Sequence, residues 1–90
     1  MKVVFSGTFQ AGYRNLSKSD QVRVDKAIRL LAAKEPKKPF HPGLRAKRVQ
    51  GTSDIWEATA TMRIRLTFQM YRETLYLRVV GDHDKTLGRP

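Results

Sequence analysis

The sequence predicts an α+β fold, in which an N-terminal strand is followed by a hairpin of two helices. The hairpin packs on a mostly antiparallel sheet of four strands. Three patterns predict it: Val and Phe are concentrated at residues 2–6, apolar residues recur at helical spacing from Phe9 to Ala32, and apolar and polar residues alternate from Trp56 to Met70. A chain of 90 residues can bury one small core. We therefore expect a single domain over residues 1–90, with the element order β-α-α-β-β-β.

The first strand and first helix follow each other directly. Residues 2–6 favour an extended chain, and Phe9, Tyr13 and Leu16 then lie on one face of a helix. Gly12 interrupts this helix and weakens it by about 1 kcal/mol relative to alanine.

A second helix is predicted to begin at Ser17. The carboxylate of Asp20, three residues later, makes this start resemble a capping box. The apolar stripe of this helix consists of Val24, Ala27, Ile28, Leu31 and Ala32. The Glu35-Pro36 pair ends it, because the residue before a proline is pushed out of the helical region.

The remaining sequence has a β pattern. Residues 44–50 alternate weakly, "GTSD" and "RET" are turn signals, and residues 75–81 form the last strand. The even, core-facing positions are Trp56, Ala58, Ala60, Met62, Ile64, Leu66, Phe68 and Met70. The odd positions include Glu57, Arg63 and Arg65, so the opposite face is polar, provided that the turn near Thr61 keeps the phase of the alternation. We expect that face to stay open and to be the natural place for a ligand.

The charge is strongly positive and uneven. Eighteen Lys and Arg stand against eight Asp and Glu, giving a net charge of +10. The segment from Lys34 to Arg48 has one acidic residue, Glu35, against the basic residues Lys34, Lys37, Lys38, Arg45, Lys47 and Arg48. A solvated basic loop is the simpler interpretation, but such an excess favours binding to a polyanion or to an acidic protein.

Composition also excludes several classes of protein. There is no cysteine, and His41 and His83 are the only histidines, so a structural zinc site is not expected. The apolar run in residues 1–6 is too short for the signal peptides that we would expect of a secreted protein, and no apolar stretch approaches the ~20 residues of a membrane span. We expect a cytoplasmic protein that needs no metal or cofactor and does not bind membranes.

His83 lies between two aspartates in the ending "RVVGDHDKTLGRP". Strict alternation places it in phase with Leu75, Leu77 and Val79, on the apolar side. A functional His83 therefore requires a kink or bulge, which Gly81 allows. The alternative is a solvated histidine at the end of a strand.

The segments "HPGLRAKRVQGTSDIWEA", "IRLTF" and the ending Gly-x-His-x-x-x-Leu-Gly together resemble the RelE/ParE superfamily of bacterial toxins. The resemblance runs from about Val3 to Gly88. It implies a RelE-like fold and a cytoplasmic toxin of a type II toxin–antitoxin system that binds an acidic antitoxin. In the RelE-like branch it implies an endoribonuclease, an mRNA interferase that acts on the ribosome without a metal and so inhibits translation.

The resemblance also implies roles for individual residues. Arg65 matches the arginine directed at the scissile phosphate, His83 matches a catalytic histidine, and Glu57 lies near the site, as base or as scaffold. The residues predicted to bind RNA are Arg45, Lys47, Arg48, Arg63, Lys85 and His41. Metal-free RNA cleavage also needs a base and an acid: Glu57 or His83 is the candidate base, and His83 or Lys85 is the candidate proton donor.

Three alternatives remain open in the sequence. Arg65 and Glu57 could form only an exposed cross-strand ion pair, which contributes less than about 1 kcal/mol. The protein could be a ParE-like toxin that inhibits gyrase. It could also be a basic RNA- or protein-binding module without catalysis, because Asp84 and Leu87 stand where many relatives have an aromatic residue.

Overall fold

The computed structural model describes residues 1–90, apart from the side chains of Lys85 and Leu87. The strands are β1 (Lys2–Phe5), β2 (Lys47–Arg48), β3 (Trp56–Thr59), β4 (Ile64–Tyr71) and β5 (Thr74–Asp82). The helices are α1 (Gly7–Arg14), α2 (Lys18–Ala32) and α3 (His83–Gly88), and Pro42–Leu44 forms one turn of 3-10 helix. In the described part of the chain, no helix has both the length and the apolar composition needed to cross a membrane.

The five strands form one sheet in the order β1-β5-β4-β3-β2. β1 runs parallel to β5, and the other neighbours are antiparallel. The predicted α+β class is confirmed, whereas the predicted four strands are five. The weakly alternating segment near residue 44 contributes only the two residues of β2.

Both predicted helices are present, with shifted ends. Ser6 caps α1 by accepting a hydrogen bond from the Phe9 amide at 2.9 Å. Ser17 caps α2 in the same way through the Asp20 amide, as predicted. α2 ends at Ala32, before the proline that was expected to stop it.

α1 and α2 cover one face of the sheet and form the core with it. The apolar residues with no more than 1% of their surface exposed include Phe9, Val24, Leu31, Leu44, Ile64, Leu66, Phe68, Leu75 and Leu77. The Tyr13 hydroxyl donates to Asp25 Oδ1 at 2.7 Å and so links the two helices. This hydrogen bond, with smaller effects of burial and of the Asp25 charge, raises the pKa of Tyr13. The core predicted from β4 is confirmed, but the prediction for Met62 is wrong: it lies in the β3–β4 turn and is 94% exposed.

β5 contains a bulge that changes which face its residues lie on. Thr67 pairs with Val79, but the next residue, Phe68, pairs with Leu77, so Arg78 is the extra residue. Leu75 and Leu77 face the core before the bulge, and Val80 faces it afterwards. The irregularity predicted at Gly81 therefore occurs at Arg78, while Gly81 pairs regularly with Arg65.

α3 covers part of the face that was expected to stay open. It follows β5 directly and folds back over β4 and β5. Thr67 on β4 and Thr86 on α3 are fully buried as a result. Beyond α3, the main-chain oxygen of Pro90 accepts hydrogen bonds from Thr67 Oγ1 and Arg78 Nε, each at 2.9 Å. No pattern in the sequence predicts this helix.

Candidate active site

Glu57 is the centre of a cluster of charged groups beside α3. It lies on β3, where it pairs with Thr67 of β4 on one side and Lys47 of β2 on the other. Alternation places its side chain on the face opposite the core. The residue is only 2% exposed, so its carboxylate is withdrawn from solvent.

Among the described side chains, three that carry or can accept positive charge lie around this carboxylate. Arg65 Nε and Lys47 Nζ lie 3.8 and 3.9 Å from Glu57 Oε1, and His83 Nδ1 lies 3.8 Å from Oε2. Glu57 Oε2 and His83 Nδ1 are both buried and have no hydrogen-bond partner among the described residues. A movement of less than about 1 Å would bring these two atoms to hydrogen-bond distance. The carboxylate can thereby fix the orientation of the imidazole ring.

Arg65 is fixed by the turn that precedes it. Its terminal nitrogen Nη1 donates to the carbonyl oxygens of Thr61 and Met62, at 2.5 and 2.7 Å. Its side chain is 18% exposed, so part of the guanidinium reaches solvent. The arginine is thus in place before any ligand binds, which is the condition for efficient electrostatic stabilisation of a reacting anion.

His83 and Lys47 open the cluster to the surface on two sides. His83, with 43% of its side chain exposed, borders a groove that also includes Met62, Asp82 and Asp84. Lys47 and Glu57 border a second groove, which continues past Arg48 to Gln50. A cavity of about 540 Å³ lies on the helical side, near Phe9 and Ile28, and contains no member of the cluster.

The other predicted RNA-binding residues whose side chains are described lie outside this cluster. Arg63 binds Asp82 at 2.7 Å and Asp20 at 3.1 Å. Arg48 pairs with Trp56 and lies 5.2 Å over its ring.

His41 caps the 3-10 turn, where its Nδ1 accepts from the Gly43 amide at 3.0 Å. Arg45 ends that turn in a left-handed conformation and is exposed. The side chain of Lys85 lies outside the described residues. Among the predicted side chains that the structure describes, only Lys47 contacts Glu57.

Thr67 and Arg78, which hold Pro90, were not identified from the sequence. One signal was present: Val79 and Val80 are adjacent apolar residues in an otherwise alternating strand. Such a pair indicates that the phase changes just before it, as a bulge at Arg78 requires.

No protein-family model and no curated protein sequence matches this chain. Several solved structures share its fold. YafQ from E. coli strain BL21(DE3) has 15% sequence identity and a TM-score of 0.77, over 93% of this chain and 94% of YafQ. A metal-bound toxin from Helicobacter pylori has 22% identity and a TM-score of 0.77, over 94% and 97% of the two chains.

The YoeB dimer structure from Staphylococcus aureus has 8% identity and a TM-score of 0.75, over 92% of this chain and 97% of YoeB. E. coli YafQ is also known in a toxin–antitoxin complex with DinJ. The predicted RelE-like fold is therefore confirmed over almost the whole length of these chains.

Proposed function

We propose that the protein is the toxin of a type II toxin–antitoxin system and cleaves messenger RNA on the ribosome without a metal ion. The observation that carries the proposal is the buried Glu57 carboxylate. Its Oε2 lies 3.8 Å from His83 Nδ1, and two cations, Arg65 and Lys47, lie beside its Oε1. The fold shared with YafQ and YoeB supports it.

His83 is the proton-transfer residue in this proposal. Its Nδ1 faces Glu57, so the other ring nitrogen, Nε2, is left for the RNA. Nε2 takes the proton of a 2'-hydroxyl, and the 2'-oxygen then bonds to the adjacent phosphorus. The bond from phosphorus to the 5'-oxygen breaks, and that oxygen takes a proton from a second donor, the role predicted for Lys85. The products are a 2',3'-cyclic phosphate and a 5'-hydroxyl.

Glu57 acts through His83 in this scheme. A side chain of a residue that is 2% exposed does not reach a 2'-hydroxyl in this conformation, so it is a positioning residue for the imidazole. Arg65 and Lys47 supply positive charge for the phosphate as its negative charge increases. This assigns Glu57 the scaffold role among the two that the sequence left open.

The surface around the cluster suits a polyanion. A net charge of +10 attracts RNA from a distance and gains from counterion release when phosphates bind. The grooves beside His83 and Lys47 provide a route for a single strand across the cluster. The same charge suits an acidic antitoxin, which would neutralise the toxin by covering these residues.

The test is cleavage of a defined messenger RNA by the purified protein, with and without ribosomes and with a metal chelator. We expect His83→Gln and Arg65→Gln each to slow cleavage by about 100-fold or more, because each removes a group required in the transition state. Arg14→Gln is the matched control: it removes the same charge from α1 and should leave the rate unchanged.

Each other result identifies a different function. RNA binding with no cleavage by the wild-type protein would identify a non-catalytic binding module. Inhibition of DNA supercoiling by gyrase, with messenger RNA intact, would identify a ParE-like toxin. Cleavage that the chelator abolishes would contradict the metal-free mechanism.

A further inference from the structure

His83 is at the start of a helix that is too short to be stable by itself. α3 has six residues, and its N-cap residue, Asp82, makes no side-chain capping hydrogen bond. Helices shorter than about 12 residues are marginal in water even with favourable sequences. α3 is therefore held by its tertiary contacts, and His83 is its first residue.

The far end of α3 is attached to the sheet by two side chains. Thr67 Oγ1 and Arg78 Nε both donate to the Pro90 main-chain oxygen at 2.9 Å. Thr67 is fully buried in β4, and Arg78 Nη1 donates to Gln69 Oε1 at 2.7 Å. These contacts fix the segment just after α3.

The bulge that directs Arg78 is itself fixed. The Ser6 hydroxyl donates to the Arg78 carbonyl oxygen at 2.5 Å, and the Ser6 amide donates to the Leu77 carbonyl oxygen at 3.0 Å. The extra residue of β5 is thus bonded to the start of α1. Its guanidinium has a rigid base from which to hold Pro90.

We propose that Thr67 and Arg78 are positioning residues: by holding Pro90 they keep α3 against the sheet and His83 opposite Glu57. The inference rests on the proposed function for its catalytic consequence, but the structural coupling can be measured without RNA. Release of Pro90 frees one end of α3, and the imidazole at the other end then loses its fixed distance to Glu57.

The experiment uses Thr67→Val, which removes the hydroxyl with little change of shape, and Arg78→Met, which removes the donors and keeps the apolar stem. Thr74→Val and Arg72→Met are the matched controls, at the opposite end of β5 and in the turn before it. We expect amide hydrogen exchange in residues 86–88, whose amides can bond within α3, to become about five- to tenfold faster in each test variant, as for loss of one hydrogen bond. The controls should exchange as the wild-type protein does.

A second readout follows the His83 ring itself. Glu57→Gln should shift the NMR signals of His83 in the wild-type background, and this response should be lost when Thr67→Val or Arg78→Met is also present. In cleavage assays the test variants should lower kcat while KM stays within about twofold, because the RNA-binding charges at Lys47 and Arg65 are intact.

Unchanged exchange in α3 together with an unchanged His83 response in both test variants would overturn the inference. If the wild-type protein cleaves no RNA but α3 loosens and the His83 response is lost, the positioning role stands and the proposed function fails. If the wild-type protein cleaves RNA and both test variants keep its kcat, the proposed function stands and the positioning role fails.

Discussion

The two faces of the sheet are covered by helices that are held in different ways. α1 and α2 pack on one face through apolar contacts of Phe9 and Leu31 on the helices and Phe68 on the sheet, each no more than 1% exposed. α3 lies on the other face, where polar groups hold the Pro90 oxygen and a buried carboxylate, Glu57, lies beneath. The first face is therefore part of the hydrophobic core, and the second face contains the buried carboxylate of Glu57.

This difference separates the source of stability from the source of chemistry. Apolar burial contributes about 25 cal/mol per Å² and does not depend on direction, so it stabilises the helical face without fixing any single polar atom. A polar contact contributes about 0.5–1.5 kcal/mol and is lost when its geometry changes. A buried carboxylate oxygen with no partner costs free energy, as active-site groups commonly do. Mutations on the two faces should therefore affect stability with different size and sign.

Leu66→Ala should have the largest effect on stability. Leu66 is fully buried at the centre of β4 on the helical face. Its removal leaves a cavity, and we expect the free energy of unfolding to fall by about 2–5 kcal/mol. Urea denaturation followed by circular dichroism measures it. Met62→Ala, at the 94% exposed turn position, is the control and should change stability by less than about 0.5 kcal/mol. Similar losses in both variants would contradict the assignment of the core.

Gly12→Ala should have a smaller effect, whose sign separates helix propensity from packing. Alanine favours the helix by about 1 kcal/mol. However, a Cβ at Gly12 would lie 2.5 Å from the Val80 carbonyl oxygen, a contact that forces α1 away from β5. Overpacking of this kind costs about 1–3 kcal/mol, so we expect a net loss of stability.

Gly7→Ala is the matched control for Gly12→Ala, because a Cβ there would meet no atom within 4 Å. It should leave the thermal midpoint unchanged or raise it slightly. A gain of stability in Gly12→Ala would show that α1 can move away from β5 at little cost. The glycine that weakened the predicted helix is, in the structure, the residue that lets this helix approach the sheet.

The helical face could be predicted from the sequence because its contacts repeat. Leu31 and Leu66 belong to patterns of period 3.6 and 2, and such patterns report burial directly. Met62 was assigned wrongly because alternation was extended through a turn, where it carries no information. The parallel pairing of β1 with β5 depends on a connection longer than any local pattern.

The opposite face could be predicted only in part. His83, Arg65 and Glu57 were identified by residue type and by resemblance, and the structure brings them together. Helix α3, which covers these residues, could not be predicted, because six residues are too few to show a helical pattern. The contact of Thr67 with Pro90 could not be predicted either, because it joins residues 23 positions apart. Glu57 was accordingly expected on an open face and is buried.

Glu57→Gln should have the smallest effect on stability, and an effect of opposite sign. The substitution keeps the shape of the side chain and removes a buried negative charge. Among the described residues, Oε2 of this carboxylate has no hydrogen-bond partner, and Arg65 and His83 lie 3.8 Å from its oxygens. Its cationic neighbours are left hydrated or bonded elsewhere: Lys47 is 65% exposed, and Arg65 keeps its two carbonyl acceptors. We therefore expect the free energy of unfolding to rise by about 1 kcal/mol.

The same substitution, Glu57→Gln, should lower the rate of RNA cleavage. Without the carboxylate the imidazole of His83 loses the group that orients it, so we expect the rate of RNA cleavage to fall by at least about tenfold. Glu35→Gln, which removes an exposed pair with Lys38 at 3.5 Å, is the control and should change unfolding by less than about 0.5 kcal/mol and cleavage not at all. If Glu57 served only as a structural partner of Arg65, its neutralisation would lower stability and leave the rate of a correctly folded protein intact. A variant that is more stable and less active excludes that alternative, because its lower rate cannot then result from a loss of folded protein.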